Sequence, residues 1–205
     1  MKRSLDKASV PATLGTEITK EQVLAMKPDV VVVATGAMPL GLDIPGATSK
    51  NVVQSNDVFM GKVEAKGKVV VVGARFNAIE VAIMLAEQGK QVSIVSRGKL
   101  GGKKGPQNTF VFKTLARQLL ELGIPLYLNT PVLEITEGSV AIGWEGEILF
   151  LPVDTVILAV GAQSENKLAQ ELKGLVPEVY KIGDCEKPRD ASSATFDAAR
   201  VAERI

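Results

Sequence analysis

The residues best suited to chemistry in this sequence stand in the stretch KVVVVGARFNAIE, residues 68–80. An apolar run enters a glycine there, and a helical pattern leaves it. In a dinucleotide-binding turn the first glycine makes the tight turn, the second lets the backbone approach the pyrophosphate, and the third lets helix pack on strand. Those three positions hold Gly73, Arg75 and Ala78. Gly73 fits and Ala78 is an accepted small substitute, but Arg75 departs from the pattern. Its guanidinium can bind phosphate bidentately beside a helix N-terminus, or fill the space the pyrophosphate needs. On this reading Gly73, Ala74, Arg75 and Phe76 frame a pyrophosphate. Arg75 weakens dinucleotide binding to about tens of micromolar, roughly −6 kcal/mol, without abolishing phosphate affinity. The alternative is a strand and helix that pack together with no ligand.

A second constellation lies at the end of the next apolar run. An acidic residue about 20 positions after the first glycine ordinarily takes the ribose 2′-hydroxyl of NAD, whereas arginine accommodates the 2′-phosphate of NADP. This sequence has Ser96 and Arg97 there, followed by Lys99, Lys103 and Lys104 in RGKLGGKKG, with no carboxylate. NADP(H) is therefore expected over NAD(H), unless the lysines only form a solvated basic loop. Other chemistry is excluded by what is missing. Histidine is absent, so there is no Ser-His-Asp triad and no histidine metal ligand. One cysteine, Cys185, cannot make a disulfide pair, a zinc site or an iron–sulfur cluster. No catalytic or metal-binding side chain is expected, and redox chemistry would come from a bound organic cofactor.

The elements that position these residues are legible as patterns. DVVVVATGA, KVVVVG, QVSIVS and VDTVILAVGA are near-continuous apolar runs, which suit strands of a parallel sheet buried on both faces. Residues 77–88 carry Ile79, Ile83 and Ala86 at helical spacing and stop at Gly89. Residues 68–96 thus read as a βαβ unit of about 30 residues. Residues 108–123 read as a second amphipathic helix, and IPLYLN as a strand. VLEIT, SVAIGW and EILFL, with turns at Gly138 and Gly146, read as a β-meander, and the last 15 residues as a helix. With 205 residues, 46% of them hydrophobic, the chain can form one large or two small domains around a real core. A net charge of +1 points to no nucleic acid partner, and no apolar run approaches a membrane span. Without an apolar leader, and with one cysteine, the expected location is cytoplasmic.

Four segments together carry a resemblance: LGTEIT…KPDVVVVATGAMPLGLDIPG, GKVVVVGARFNAIEVAIMLAEQGKQVSIVSR, VDTVILAVGAQSEN and VPEVYKIGDCEKPRDASSATFDAARVAERI. In that order they resemble the C-terminal FAD/NAD(P)-binding region of the NADH:flavin oxidoreductase/2,4-dienoyl-CoA reductase family. The resemblance covers nearly the whole chain from Leu14. It implies an α/β fold in which a Rossmann-like NAD(P)-binding domain, residues 66–160, is inserted in a truncated flavin domain formed by residues 1–65 and 161–205. It also implies residue roles. Ala34, Thr35 and Gly36 lie near FAD, Asp184 hydrogen-bonds the ribityl chain, Glu80 matches an acidic fingerprint position, and Gly161 lies on the nicotinamide side. The bland counterparts are a strand-end turn at residues 34–36 and a capping role for Asp184.

The same resemblance implies the chain's function: the nucleotide-binding portion of a flavin-dependent NAD(P)H oxidoreductase, passing hydride from NAD(P)H to flavin in the intact enzyme. The family's own FAD pyrophosphate turn, and its barrel with FMN and an iron–sulfur cluster, are expected upstream of this sequence. The isolated chain is accordingly expected to be inactive, to retain no FAD, and to self-associate through sheet faces exposed near Val30 to Val33. The alternatives are a degenerate module that binds no nucleotide, or part of a ferredoxin-reductase-like flavoprotein.

Overall fold

The computed structural model describes residue 5, residues 7–102 and residues 109–205; Lys103 and Lys104 of the basic loop lie outside them. By its internal contacts the chain divides into two compact units. One comprises Met1–Ala37 with Ser164–Ile205, the other Met38–Gln163.

The unit Met38–Gln163 is built around its apolar runs. Strand β4 (Lys68–Val72) has Val69, Val70 and Val71 at most 1% exposed, so both of its faces are covered. It belongs to a five-stranded sheet ordered β3 (Val52–Gln54), β10 (Thr155–Leu158), β4, β5 (Gln91–Ser96) and β6 (Leu126–Leu128). All four pairings are parallel, as the unbroken apolarity of the central strands predicts. Successive side chains of β4 point to opposite faces. Val69 and Val71 join a core with helices α2 (Ser55–Phe59), α3 (Phe76–Glu87) and α4 (Thr109–Glu121). Val70 and Val72 join a second core against the antiparallel meander β7 (Val132–Ile135), β8 (Ser139–Trp144) and β9 (Glu147–Pro152). The sheet is therefore a middle layer, with helices on one face and the meander on the other. Each fully buried valine contributes about 1.5–3 kcal/mol relative to exposure.

By internal contacts this unit begins at Met38 and ends at Gln163, whereas the resemblance implies boundaries at 65/66 and 160/161. The reason is long-range. β3 pairs with β10, and the Ile135 amide donates to the Pro45 carbonyl at 3.0 Å. Gly46 follows with φ +78°, and a Cβ there would stand 1.7 Å from the Ile135 carbonyl oxygen. Short strands β2 (Ala37–Pro39) and β11 (Ala162–Ser164) pair with each other where the chain leaves and returns.

The other unit is assembled from smaller pieces. Helix α1 (Lys20–Ala25) starts with a capping box between Thr19 and Gln22. β1 (Val30–Val33) pairs in parallel with β12 (Glu178–Lys181), and α5 (Lys167–Leu172) packs nearby through Leu172 against Val23 and Val176. A 3₁₀ turn (Gly183–Cys185) leads towards α6 (Ala191–Ala202). The continuous apolarity of β1 suggests burial on both faces, but Val32 is 40% exposed. Among the described residues β1 has one strand neighbour, so its second edge is open. No described helix is long and apolar enough to cross a membrane.

Candidate functional site

The turn between β4 and α3 sits where the strand order reverses, since the chain moves from β4 outwards to β5 and β6 and later returns to β10 on the other side. In open α/β sheets the carboxyl edge at such a switch point is the ligand crevice. Gly73 stands there with φ +131°, and a Cβ on it would come 2.3 Å from the Ala159 carbonyl oxygen just past β10. Its amide donates to the Val95 carbonyl at 2.8 Å. Only glycine lets the ends of β4 and β10 close up this far.

Helix α3 then starts without a cap. Arg75 is its N-cap residue, the Arg75 side chain makes no capping hydrogen bond, and no acid lies within the first turn. The first backbone bond runs from the Ile79 amide to the Arg75 carbonyl at 3.0 Å. The amides of Phe76, Asn77 and Ala78 are the orphans of the helix end, carrying its partial positive charge. Ala78 is fully buried, as its role in close packing requires. The Phe76 ring meets Phe112 of α4 edge-on, with centroids 6.3 Å apart, so only its backbone belongs to the turn. Glu80 is exposed one turn further along.

The loop after β5 is tied to this turn. The Gly101 amide donates to the Ala74 carbonyl at 2.7 Å, and the Gly98 amide to the Ser96 hydroxyl at 3.2 Å. The Arg75 stem lies against this loop. Its Cγ and Cδ lie 3.4 and 3.5 Å from where a Cβ on Gly102 would stand. Arg97 and Lys99 are exposed on the same loop. Gly161 follows β10 on the same carboxyl edge, and its carbonyl accepts from the Leu40 amide at 3.0 Å. The structure thus gathers Gly73, Ala74, Arg75, Ser96, Arg97 and Gly161 on one edge. A cleft of about 400 Å³ lined by Gly67, Lys68, Gly89, Lys90, Gln91 and Asp154 lies at the opposite, amino-terminal edge, where no open helix start faces it.

Ala34, Thr35, Gly36 and Asp184 belong to the other unit. The Thr35 hydroxyl donates to the Glu165 carbonyl, and the Gly36 carbonyl accepts from the Glu165 amide at 3.0 Å. Asp184 Oδ1 accepts from the Arg189 amide at 3.0 Å, so it does cap the turn before α6. Sequence reasoning missed Asp197. Its carboxylate, 7% exposed, accepts from the Gly183 amide at 3.2 Å and pairs with the Arg189 guanidinium. Asp197 and Val201 are the buried positions of α6. That i,i+4 spacing of an acid on an apolar stripe was the available signal.

With this geometry in view, the sequence matches the family described as pyridine nucleotide-disulphide oxidoreductase over residues 4–202. The chain belongs to that family. It is 32% identical to an NADH oxidase of Thermoanaerobacter brockii, over 97% of this chain and 32% of that protein. It is 30% identical to a metal reductase of Desulforamulus reducens, over 89% of this chain and 32% of the relative. A 2-naphthoyl-CoA reductase solved with 2-naphthoyl-CoA superposes with TM-score 0.90 at 32% identity, over 100% of this chain and 31% of that one. The chain thus spans about a third of the length of these proteins. The match confirms the Rossmann-like α/β architecture expected from the sequence.

The two cofactors that the resemblance implies fit the described residues unequally. A nicotinamide dinucleotide finds a glycine turn, an open helix start and basic side chains. For FAD, the unit holding Asp184 offers an acceptor and a strand-end loop. Its twelve-residue helix, α6, is already capped by Asp190, whose carboxylate accepts from the Ser193 amide at 2.7 Å. Among the described residues of that unit, no glycine turn leads from a strand into an open helix start, so nothing there matches the needs of a flavin pyrophosphate. Disulfide chemistry, which the family description includes, needs a cysteine pair; this chain has one cysteine, and it is fully buried.

Proposed function

We propose that the unit Met38–Gln163 binds NADP(H) in preference to NAD(H). The pyrophosphate lies on the amides of Phe76, Asn77 and Ala78, the adenosine ribose at Ser96 and Arg97, and the nicotinamide on the side of Gly161. The observation that carries this reading is the uncapped, acid-free start of α3 behind Gly73, at the switch point of the sheet. An anion placed there satisfies orphan amides and interacts favourably with the helix dipole. The protein contributes binding and orientation, while hydride chemistry belongs to the nicotinamide and, in the intact enzyme, to the flavin that accepts it. Preference for the phosphorylated nucleotide is supported by the absence of any carboxylate from residue 88 to residue 120. One relative is named for NADH, which makes the preference a sharp point of test.

Isothermal titration with NADPH, NADH and FAD, combined with amide exchange at Phe76, Asn77 and Ala78, tests the reading. NADPH is expected to bind and to protect those amides. Heatless titrations with both nicotinamide nucleotides overturn it in favour of a module that keeps the fold without the ligand. In the other unit, residues 34–36 and Asp184 supply one side of a flavin site, and the open edge of β1 supports self-association. Sedimentation of a clean monomer at high concentration argues against that association.

A further inference from the structure

We infer that Arg75 is a specificity-determining residue whose guanidinium reads the 2′-phosphate of NADP(H); this rests on the dinucleotide reading above. The direction of the side chain is the first ground. At the second fingerprint position an arginine can obstruct the turn, bind the pyrophosphate or reach sideways. Its Cγ, Cδ and Nε stand 3.4, 3.5 and 3.8 Å from the place a Cβ on Gly102 would take, so it reaches sideways, to the loop that carries Ser96 and Arg97.

That loop is a fixed shelf. The Gly101 amide is bonded to the Ala74 carbonyl at 2.7 Å, the Gly102 amide to the Lys99 carbonyl at 3.0 Å, and the Asn129 amide to the Gly98 carbonyl at 3.2 Å. The arginine stem lies beside Gly102 at a distance that leaves ordinary contact even for a Cβ there. The guanidinium is exposed and has no ion pair or hydrogen bond among the described residues. Its five N–H donors are therefore available in a planar fork.

The chemistry separates the two cofactors. A phosphate dianion accepts two of those donors in parallel, in a charge-assisted pair. A ribose 2′-hydroxyl gains little beside a cation, and the segment offers it no carboxylate acceptor. The pyrophosphate already has the amides of α3 as partners. Arg75 thus adds affinity for the one group that distinguishes NADP from NAD, alongside Arg97.

The test is titration of the parent chain, Arg75→Gly and Arg75→Lys at fixed salt. The ligands are NADPH, NADH, and the fragments 2′,5′-ADP and 5′-AMP. In Arg75→Gly, NADPH and 2′,5′-ADP are expected to lose about tenfold in affinity, while NADH and 5′-AMP change less than about twofold. Arg75→Lys, which keeps the charge and loses the fork, should recover part of the loss. Equal loss for NADPH and NADH makes Arg75 a pyrophosphate ligand and overturns the inference. Tighter binding of both in Arg75→Gly makes it an obstruction and also overturns it. If the nucleotides bind but their ratio ignores residue 75, this inference falls and the proposed function stands. If the parent binds neither dinucleotide, both fall.

Discussion

Helices α3 and α6 are each twelve residues long, yet they begin in opposite ways. α6 satisfies itself: Asp190 accepts from the Ser193 amide, and the turn before it is closed by Asp184, Arg189 and Asp197. α3 has no cap, no acid in its first turn, and an arginine that leads away from it. Local stability favours the first arrangement, since a capping side chain supplies a partner for an orphan amide. A helix start left open at the carboxyl edge of a parallel sheet forgoes that stability and keeps its amides for an anion. The surroundings differ in the same sense. Of the twelve largest fully buried side chains among the described residues, all but Leu172 lie in Met38–Gln163, so the open turn stands on the unit with the larger core.

The contrast can be broken most severely at Gly73. Gly73→Val places a branched side chain at φ +131° against the Ala159 carbonyl. A loss on the order of 3 kcal/mol or more is expected in denaturant unfolding, together with dinucleotide binding. A milder loss would mean that the ends of β4 and β10 separate easily. The matching change in the other unit is Asp197→Ala, which leaves the Gly183 amide and the Arg189 guanidinium without their acceptor. A partly solvated pair of this kind should cost about 2 kcal/mol, less than a fully buried one, and should leave NADPH titration unchanged.

Arg75→Asp sharpens the comparison by making α3 begin as α6 does. A carboxylate at the N-cap should stabilise the fold by about 1 kcal/mol and, by repelling phosphate, weaken NADPH at least about tenfold. The two readouts moving in opposite directions is the signature of an anion site held open against local stability. If both move together, the start of α3 is merely a poor cap.

The smallest effect belongs to Asp190. The Ser193 backbone amide holds its carboxyl below the usual carboxylate range. Its folded-state pKa therefore lies under the unfolded one, and its contribution is present above the unfolded value and lost as pH falls through the lowered folded value. Asp190→Asn should flatten that acid limb of the stability curve, measured by thermal melts between neutral and strongly acid pH, with NADPH affinity at neutral pH untouched.

Much of this protein could be read from local pattern. Near-continuous apolar runs announced β4, β5 and β10 as strands of a buried parallel sheet, and the alternation of residues 132–150 announced the meander. The spacing of Gly73 and Ala78 located the turn between β4 and α3. Such signals are local because the burial of a strand or helix is written along its own residues. What only the tertiary structure decided involves partners far apart in sequence. Among the described residues Val30 to Val33 carry the same signal as β4 but have a single strand neighbour, since apolarity does not say how many neighbours a strand finds. The unit begins at Met38 because Pro45 and Gly46 meet Ile135, some ninety positions on. Arg75 could obstruct, bind or turn aside; a loop twenty-seven residues later, held to Ala74 by one amide, provides the surface along which its stem lies. A side chain's identity sets what it can bind, but its direction depends on the shape of the neighbours it packs against.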